Sequence, residues 1–215
     1  GKGVYQQYGV AENGFHVSSC QFSIHYFFKE KETLHEFLRN VTENTRVGGY
    51  FIATGYDGDK VFQLLRNKSK GESYTIMKDD RKIFEITKRY DDSSFPDDYL
   101  SLGYDIDVYQ ESINKPFKEY LVQFDFLKRV FENYGFILLP KEEANAMQLP
   151  DGSALFEKMF KNMEEEANNN KHLKSNVRTA LLMSAEEKTI SFLNRYYIFK
   201  KVRNVDAKNI KAMMN

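Results

Sequence analysis

The apolar positions near the start of the chain follow a strand, helix, strand order. Phe15 to Phe22 is a short apolar run with small residues, which is typical of a central parallel strand buried on both faces. Leu34 to Thr45 spaces its apolar residues three and four positions apart, which predicts an amphipathic helix. Gly48-Gly49 indicates a turn, and Tyr50 to Thr54 predicts the next buried strand. This order predicts a βαβ unit in a parallel sheet.

The middle of the chain changes to a strand-like alternation. Tyr74 to Met77 and Ile83 to Thr87 flank a polar tip, which predicts an antiparallel hairpin. Leu102 to Tyr109 predicts another strand. We therefore expect an inserted antiparallel lid over about residues 70 to 110.

The last part of the chain alternates helix and strand patterns again. Tyr120 to Tyr134 predicts the clearest helix, which Gly135 ends at the usual position for glycine. The remaining elements are predicted in the order strand, helix and strand, at Phe136 to Leu139, Ala154 to Ala167 and Tyr196 to Val202. Together these patterns predict an α/β fold.

The composition is that of an ordinary globular domain. The 215 residues are 41% hydrophobic and 29% charged. The 31 basic and 31 acidic residues balance, which disfavours wholesale coating of a polyanion but allows a local basic groove. The single cysteine, Cys20, excludes a disulfide framework and a cysteine-rich zinc site, and indicates a reducing compartment. No apolar stretch is long enough for a membrane span.

Polar and aromatic residues crowd the end of the first predicted strand. Gln21, Phe22, His25 and Tyr26 follow one another there, at the edge where open α/β sheets bind ligands. Glutamine and histidine can donate and accept hydrogen bonds, and the rings can stack on a planar or cationic ligand. An aromatic core plug, with His25 as an internally satisfied partner, is the alternative interpretation of these residue types.

Short motifs extend this segment in a fixed order. The first are Gln-Phe-x-x-His-Tyr-x-Phe from Gln21, Leu38-Arg39-Asn40, and Gly-Gly-Tyr-Phe-Ile from Gly48. The later ones start at Tyr56, Glu119 and Asn133, and read Tyr-Asp-Gly-Asp-Lys, Glu-Tyr-Leu-Val and Asn-Tyr-Gly-Phe. In this order the motifs resemble the mRNA cap guanine-N7 methyltransferases, and most of all the C-terminal methyltransferase domain of large-DNA-virus capping enzymes. The resemblance covers Phe15 to Arg203.

The resemblance implies a fold, a reaction and a set of site residues. The fold would be the C-terminal portion of a class I, Rossmann-like methyltransferase sheet. The enzyme would transfer a methyl group from S-adenosylmethionine to guanine N7 of the mRNA 5′ cap, without a metal. Gln21 and Tyr26 would border the methyl donor, and Phe22, His25 and Tyr26 would line the cap guanine pocket.

Two further pocket residues are implied by the resemblance. Glu119 would take the guanine edge, since a carboxylate can accept paired hydrogen bonds from N1–H and the 2-amino group. Tyr104, in a Gly-Tyr-Asp setting, would form another wall of the pocket. The alternative for Glu119 is a solvated carboxylate at the start of the predicted helix, where the helix dipole favours it.

The sequence departs from the family pattern in two places. Asn194 stands where the family has a pocket tyrosine, and Tyr196 or Tyr197 are candidate substitutes. The family's glycine-rich donor loop precedes the position of Phe15 and is not found, so we expect an incomplete donor site. The chain also lacks an initiator methionine, which indicates an excerpt of a longer protein.

These patterns predict an organisation and a set of partners. Residues 1–14 would be an upstream linker, residues 15–205 the methyltransferase domain, and residues 206–215 a frayed tail. The expected partners are the capped 5′ end of mRNA and either upstream capping domains or a stimulatory subunit, with no membrane. The expected location is intracellular: host cytoplasm or virion for a viral protein, nucleus for a cellular one. The rival function is an inactive, methyltransferase-like regulatory or cap-binding subunit.

Overall fold

The computed structural model describes residues 13–213. Over this range the strands are β1 Phe15–Gln21, β2 Thr45–Tyr56, β3 Ser73–Lys78, β4 Arg81–Lys88, β5 Asp105–Gln110, β6 Lys115–Tyr120, β7 Phe136–Leu138, β8 Ser153–Leu155 and β9 Asn194–Lys201. The helices are α1 Lys31–Asn44, α2 Gly58–Leu64, α3 Phe124–Asn133, α4 Lys141–Ala146, α5 Phe156–Asn169, α6 Lys171–Asn176, α7 Arg178–Leu181, α8 Ala185–Ser191 and α9 Ala207–Met213. The predicted linker at residues 1–14 lies almost entirely outside the described residues.

The main sheet is mixed, which confirms the predicted α/β fold. β1 pairs with β2 in parallel across the α1 crossover, as the βαβ pattern predicts. β9 then runs antiparallel to β2, and β7 and β8 both pair with β9. α1 and α3 pack their apolar faces on this sheet, in a core centred on Phe51, Phe131 and Phe199. None of the helices within residues 13–213 is long and apolar enough to cross a membrane.

The second sheet is the predicted antiparallel lid, but it is longer than predicted. β3, β4, β5 and β6 form a four-stranded meander that continues to Tyr120. The helix predicted from Tyr120 begins only at Phe124, where the side chain of Gln123 accepts a hydrogen bond from Phe126 N. Leu121 and Val122 lie in the connection between β6 and α3. Their apolar side chains continue the spacing of the helix, which is why the sequence predicted an earlier start. Glu119 therefore lies on a strand, not at a helix start.

Two other sequence expectations are corrected by the structure. β1 is not buried on both faces: Phe15 and Val17 are 52% and 51% exposed, since among the described residues β1 pairs only with β2. The Gly48-Gly49 pair is not a turn between elements but lies inside β2. There Gly48 has a φ of +81° and the register with β1 shifts, as in a β-bulge. An apolar run or a glycine pair in the sequence does not show which strands will flank it.

The structure also corrects the prediction that residues 206–215 form a frayed tail. Residues 207–213 form α9, and Ala207 is buried against the core with Ile210 packed beside it. The many basic residues of this segment concealed its short apolar face. The segment after residue 205 is therefore helical over residues 207–213 and not frayed.

Candidate functional site

A cavity of about 460 Å³ lies between the end of the main sheet and the lid sheet. It is formed where β1 and β2 reach their carboxyl ends, which is where open α/β sheets place ligands. β5 and β6 close it from the opposite side, and α8 with the start of β9 closes its rim. Its walls are Phe22, His25, Tyr26, Gly55, Tyr56, Val108, Gln110, Ile113, Phe117, Glu119, Ile190 and Asn194.

Phe22 enters the cavity because its backbone takes an unusual conformation. Its φ is +50°, a region that non-glycine residues rarely adopt. The conformation is held by hydrogen bonds from Phe22 N to Thr54 O at 2.9 Å and to Thr54 Oγ1 at 3.3 Å. The ring is 56% exposed. Backbone strain of this kind is concentrated at functional sites, where it sets the direction of a side chain.

His25 and Glu119 meet inside the cavity from opposite sheets. His25 comes from the 3₁₀ turn Ile24–Phe28 after β1, and Glu119 comes from β6. His25 Nδ1 lies 3.4 Å from Glu119 Oε2, but the contact does not have hydrogen-bond geometry. Among the described residues, His25 Nε2 and Glu119 Oε2 are buried atoms with no hydrogen-bond partner. Buried polar atoms of this kind indicate a site for a ligand or for water.

Burial shifts the protonation of both side chains toward the neutral form. It raises the pKa of the Glu119 carboxyl from 4.5 to about 7, and it lowers the pKa of the His25 imidazole from 6.5 to about 4. The cause is the same in both, because the charged form loses its hydration. At neutral pH His25 is therefore neutral, and Glu119 is divided between acid and carboxylate. A ligand that donates N–H groups to Glu119 would favour the carboxylate.

This burial predicts a pH-dependent gain in stability for Glu119→Gln. The folded-state pKa of Glu119 lies above its unfolded value, so its stabilising contribution is complete below pH 4.5 and is lost as pH rises through 7. The variant copies the neutral acid. It should raise the free energy of unfolding at pH 8 by up to about 3 kcal/mol and change it little at pH 4.5.

Thermal melting of wild type and Glu119→Gln at the two pH values measures this effect. The lowered pKa of His25 destabilises both proteins in acid, so it cancels when they are compared at one pH. An equal difference in melting temperature at pH 4.5 and pH 8 would contradict a buried, desolvated Glu119.

The structure adds one residue, Tyr56, that sequence reasoning missed. Tyr56 ends β2 and lies directly opposite Asn194 of β9 in the strand register. Both line the cavity, and the hydroxyl of Tyr56 accepts a hydrogen bond from Gln110 Nε2 at 3.0 Å. The signal was available, because Tyr56 follows a predicted strand just as Gln21 does and therefore lies at the same sheet edge.

An ion pair fixes the two strand ends behind this wall. Asp57 follows Tyr56, and Arg195 follows Asn194. Arg195 Nε donates to Asp57 Oδ2 at 2.5 Å, and the carboxylate is almost wholly buried. The pair anchors the β2 and β9 ends, and so it sets the positions of the two cavity-lining residues before it.

Gln21 lies beside the cavity without lining it. It ends β1, and its Oε1 accepts a hydrogen bond from Thr54 Oγ1 at 2.7 Å. Its Nε2 donates to Ser19 Oγ at 3.0 Å. The side chain is exposed at the carboxyl edge of the sheet, next to the strained Phe22. Tyr26, 46% exposed, stands at the rim with its ring 4.1 Å from that of His25.

The structure does not bring Tyr104 to the cavity. Its hydroxyl donates to Ser94 O at 2.9 Å, and its ring packs against Phe62, Tyr90 and Phe95 in the core beneath the lid sheet. The expectation of a pocket wall at Tyr104 is therefore corrected. The Gly-Tyr-Asp setting places it just before β5, at the opposite end of that strand from the cavity-lining Gln110.

The two candidate replacements for the family tyrosine do not line the cavity either. Tyr196 donates its hydroxyl to Asp151 O at 2.6 Å, and Tyr197 is fully buried in the main core. Asn194 itself occupies the cavity wall. Among the described residues, no group of three or more histidine, cysteine or carboxylate side chains is arranged to hold a metal.

Comparison with known proteins identifies the family. Residues 2–202 match the family model described as mRNA (guanine-N(7))-methyltransferase domain. A "Probable mRNA-capping enzyme" of Acanthamoeba polyphaga mimivirus is 27% identical over an alignment 228 positions long. The alignment covers 94% of this chain and 18% of the relative. The "mRNA-capping enzyme catalytic subunit" of Fowlpox virus is 29% identical over 189 residues, which cover 87% and 20%.

A cellular relative agrees with the viral ones. The "mRNA cap guanine-N(7) methyltransferase" of Caenorhabditis briggsae is 30% identical over 126 residues, which cover 58% of this chain and 31% of the relative. The chain thus spans less than a third of the length of each of these relatives. Since the family model matches nearly the whole chain, the chain belongs to the mRNA cap guanine-N7 methyltransferase family.

Proposed function

We propose that this domain binds the cap guanine of mRNA and that the full-length protein methylates it at N7 with S-adenosylmethionine. The observation that carries the proposal is the buried Glu119 carboxyl with an unpartnered oxygen in a cavity walled by aromatic rings. A carboxylate can accept the N1–H and 2-amino hydrogens of guanine, a pattern that adenine does not offer.

The cavity walls suit a flat, electron-rich base. Phe22 and Tyr26 stand at the rim with large exposed rings, and Tyr56 closes the inner wall. Stacking on such rings contributes to base binding without reading the sequence. Glu119 would supply the base discrimination, and the neutral His25 beside it adds no competing positive charge.

The methyl donor would lie at the open side of the same sheet edge. Gln21 carries hydrogen-bonding groups there, and Tyr26 stands at the rim of the cavity. When bound, S-adenosylmethionine supplies an activated methyl group carried on a sulfonium. Gln21 and Tyr26 would border it and hold it against the base.

The chemistry asks for positioning more than for proton transfer. Guanine N7 in the neutral base already carries a lone pair, so no general base is needed. Methylation leaves a positive charge on the guanine ring, and the Glu119 carboxylate favours that charge within a cavity of low polarity. The domain would then act through proximity, alignment and electrostatics.

The partners follow from the same proposal. The viral relatives are named as capping enzymes, and this chain matches a fifth or less of their length. We therefore propose that upstream capping domains or a stimulatory subunit act together with it. The capped 5′ end of mRNA would be met inside the cell, in host cytoplasm or virion for a viral protein and in the nucleus for a cellular one.

A methylation assay on the full-length protein tests the proposal. The protein is incubated with GpppA-capped RNA and labelled donor, and the cap is released and identified. We expect label in 7-methylguanosine and none in RNA that ends in an uncapped triphosphate. Cap binding without any methyl transfer would instead support the regulatory, catalytically inactive alternative.

A further inference from the structure

Asn194 lines the cavity and carries a buried amide oxygen. The residue is 7% exposed and lines the cavity wall. Its Nδ2 donates to Ile190 O at 3.4 Å and to Ser191 O at 3.1 Å. Because these carbonyl oxygens can only accept, they fix which end of the amide is the nitrogen. Oδ1 is left buried, without a donor among the described residues.

A buried acceptor without a donor is unfavourable, so its persistence indicates that something else supplies the hydrogen. Glu119 Oε2 is in the same situation in the same cavity. The two acceptors lie on different elements, the start of β9 and the strand β6. The cavity therefore suits a ligand that donates more hydrogen bonds than the Glu119 carboxylate alone can accept.

The residue opposite Asn194 complements it. Tyr56 is the register partner of Asn194 on β2, and its hydroxyl already accepts a hydrogen bond from Gln110. Tyr56 is therefore a lining ring held in place by a hydrogen bond, while Asn194 carries an acceptor oxygen without a donor among the described residues. The paired ends of β2 and β9 thus combine an aromatic ring with a hydrogen-bond acceptor.

We propose that Asn194 is a specificity-determining residue whose Oδ1 accepts a hydrogen bond from the capped guanosine. This inference rests on the proposed function. Glu119 would take N1–H and one hydrogen of the 2-amino group. The second amino hydrogen and the ribose hydroxyls remain, and Oδ1 accepts from one of them.

The test measures the binding of cap dinucleotides to the full-length protein. The ligands are GpppA, its inosine analogue without the 2-amino group, and an analogue with a 2′,3′-dideoxy guanosine. The variants are Asn194→Leu and Asn194→Ala, which differ in volume so that one can replace the other if it fails to fold. Asn176→Ala, on the exposed helix α6, is the matched control.

Both Asn194 variants should bind GpppA roughly 5- to 20-fold more weakly than wild type, the effect of one buried hydrogen bond. They should also lose most of the wild-type preference for one donor group, either the amino group or the ribose hydroxyls. The ligand that shows this loss identifies the donor. In Glu119→Ala the preference for that donor should persist, because a second acceptor reads it.

Several results would overturn the proposal. One is equal affinity of the wild-type protein for all three dinucleotides. This result would be decisive without any variant. Another is a uniform loss for all three ligands in the variants, with a lower melting temperature, since that marks a structural role only. Wild-type protein with no affinity for GpppA would overturn the proposed function as well, so the two failures are distinguishable.

Discussion

Glu119→Ala should lower cap-dependent methylation by roughly 10- to 100-fold or more, because a charge-assisted pair of hydrogen bonds to guanine is lost. The loss should appear in the affinity for GpppA-capped RNA, with little change in donor affinity. The fold should not be weakened, since the variant removes a carboxyl whose pKa is raised by burial. Turnover, cap affinity and melting temperature, measured on the full-length protein, check these three expectations.

A matched control is available on the same sheet. Glu85 lies on β4 and accepts hydrogen bonds from Thr75 and Lys82 outside the cavity. Glu85→Ala should leave cap methylation at the wild-type level. Normal methylation by Glu119→Ala would show that Glu119 does not read the cap.

The sequence predicted the main elements of the fold because their periodicities are local. The βαβ unit around α1 and the hairpin of β3 and β4 were both predicted correctly. The errors arose where tertiary pairing decides the structure. β6 has no strong alternation, so the apolar face of Leu121 and Val122 was assigned to the following helix although Glu119 pairs in register with Ile106 of β5.

The site was predicted on the segment after β1, where motif and sheet-edge reasoning agree. Phe22, His25, Tyr26 and Glu119 do meet in one cavity. Their convergence depends on how the lid sheet folds over the main sheet, which no local pattern contains. The resemblance placed Tyr104 at the site although its ring packs in the core beneath the lid sheet, and Tyr56 was overlooked although it follows a predicted strand.

The aromatic rim carries the second large expected effect. Phe22→Ala should weaken the binding of capped RNA by roughly 5- to 150-fold, because stacking contributes about 1–3 kcal/mol per base. His25→Ala should also weaken cap binding more than donor binding. Tyr26→Ala should harm both, since it stands between the two proposed ligands. Calorimetry with GpppA and with the methyl donor separates these outcomes.

The strained backbone of Phe22 gives this prediction an independent readout. Its φ of +50° suits glycine, so Phe22→Gly relieves strain that Phe22→Ala keeps. We expect Phe22→Gly to be about 1 kcal/mol more stable than Phe22→Ala, with both equally poor in cap binding. The control is Phe15→Ala, because Phe15 lies on β1 outside the cavity and is about as exposed as Phe22. This variant should bind caps normally. If donor affinity fell as much as cap affinity in Phe22→Ala and His25→Ala, the rim would be a packed support for the sheet and not a surface for the base.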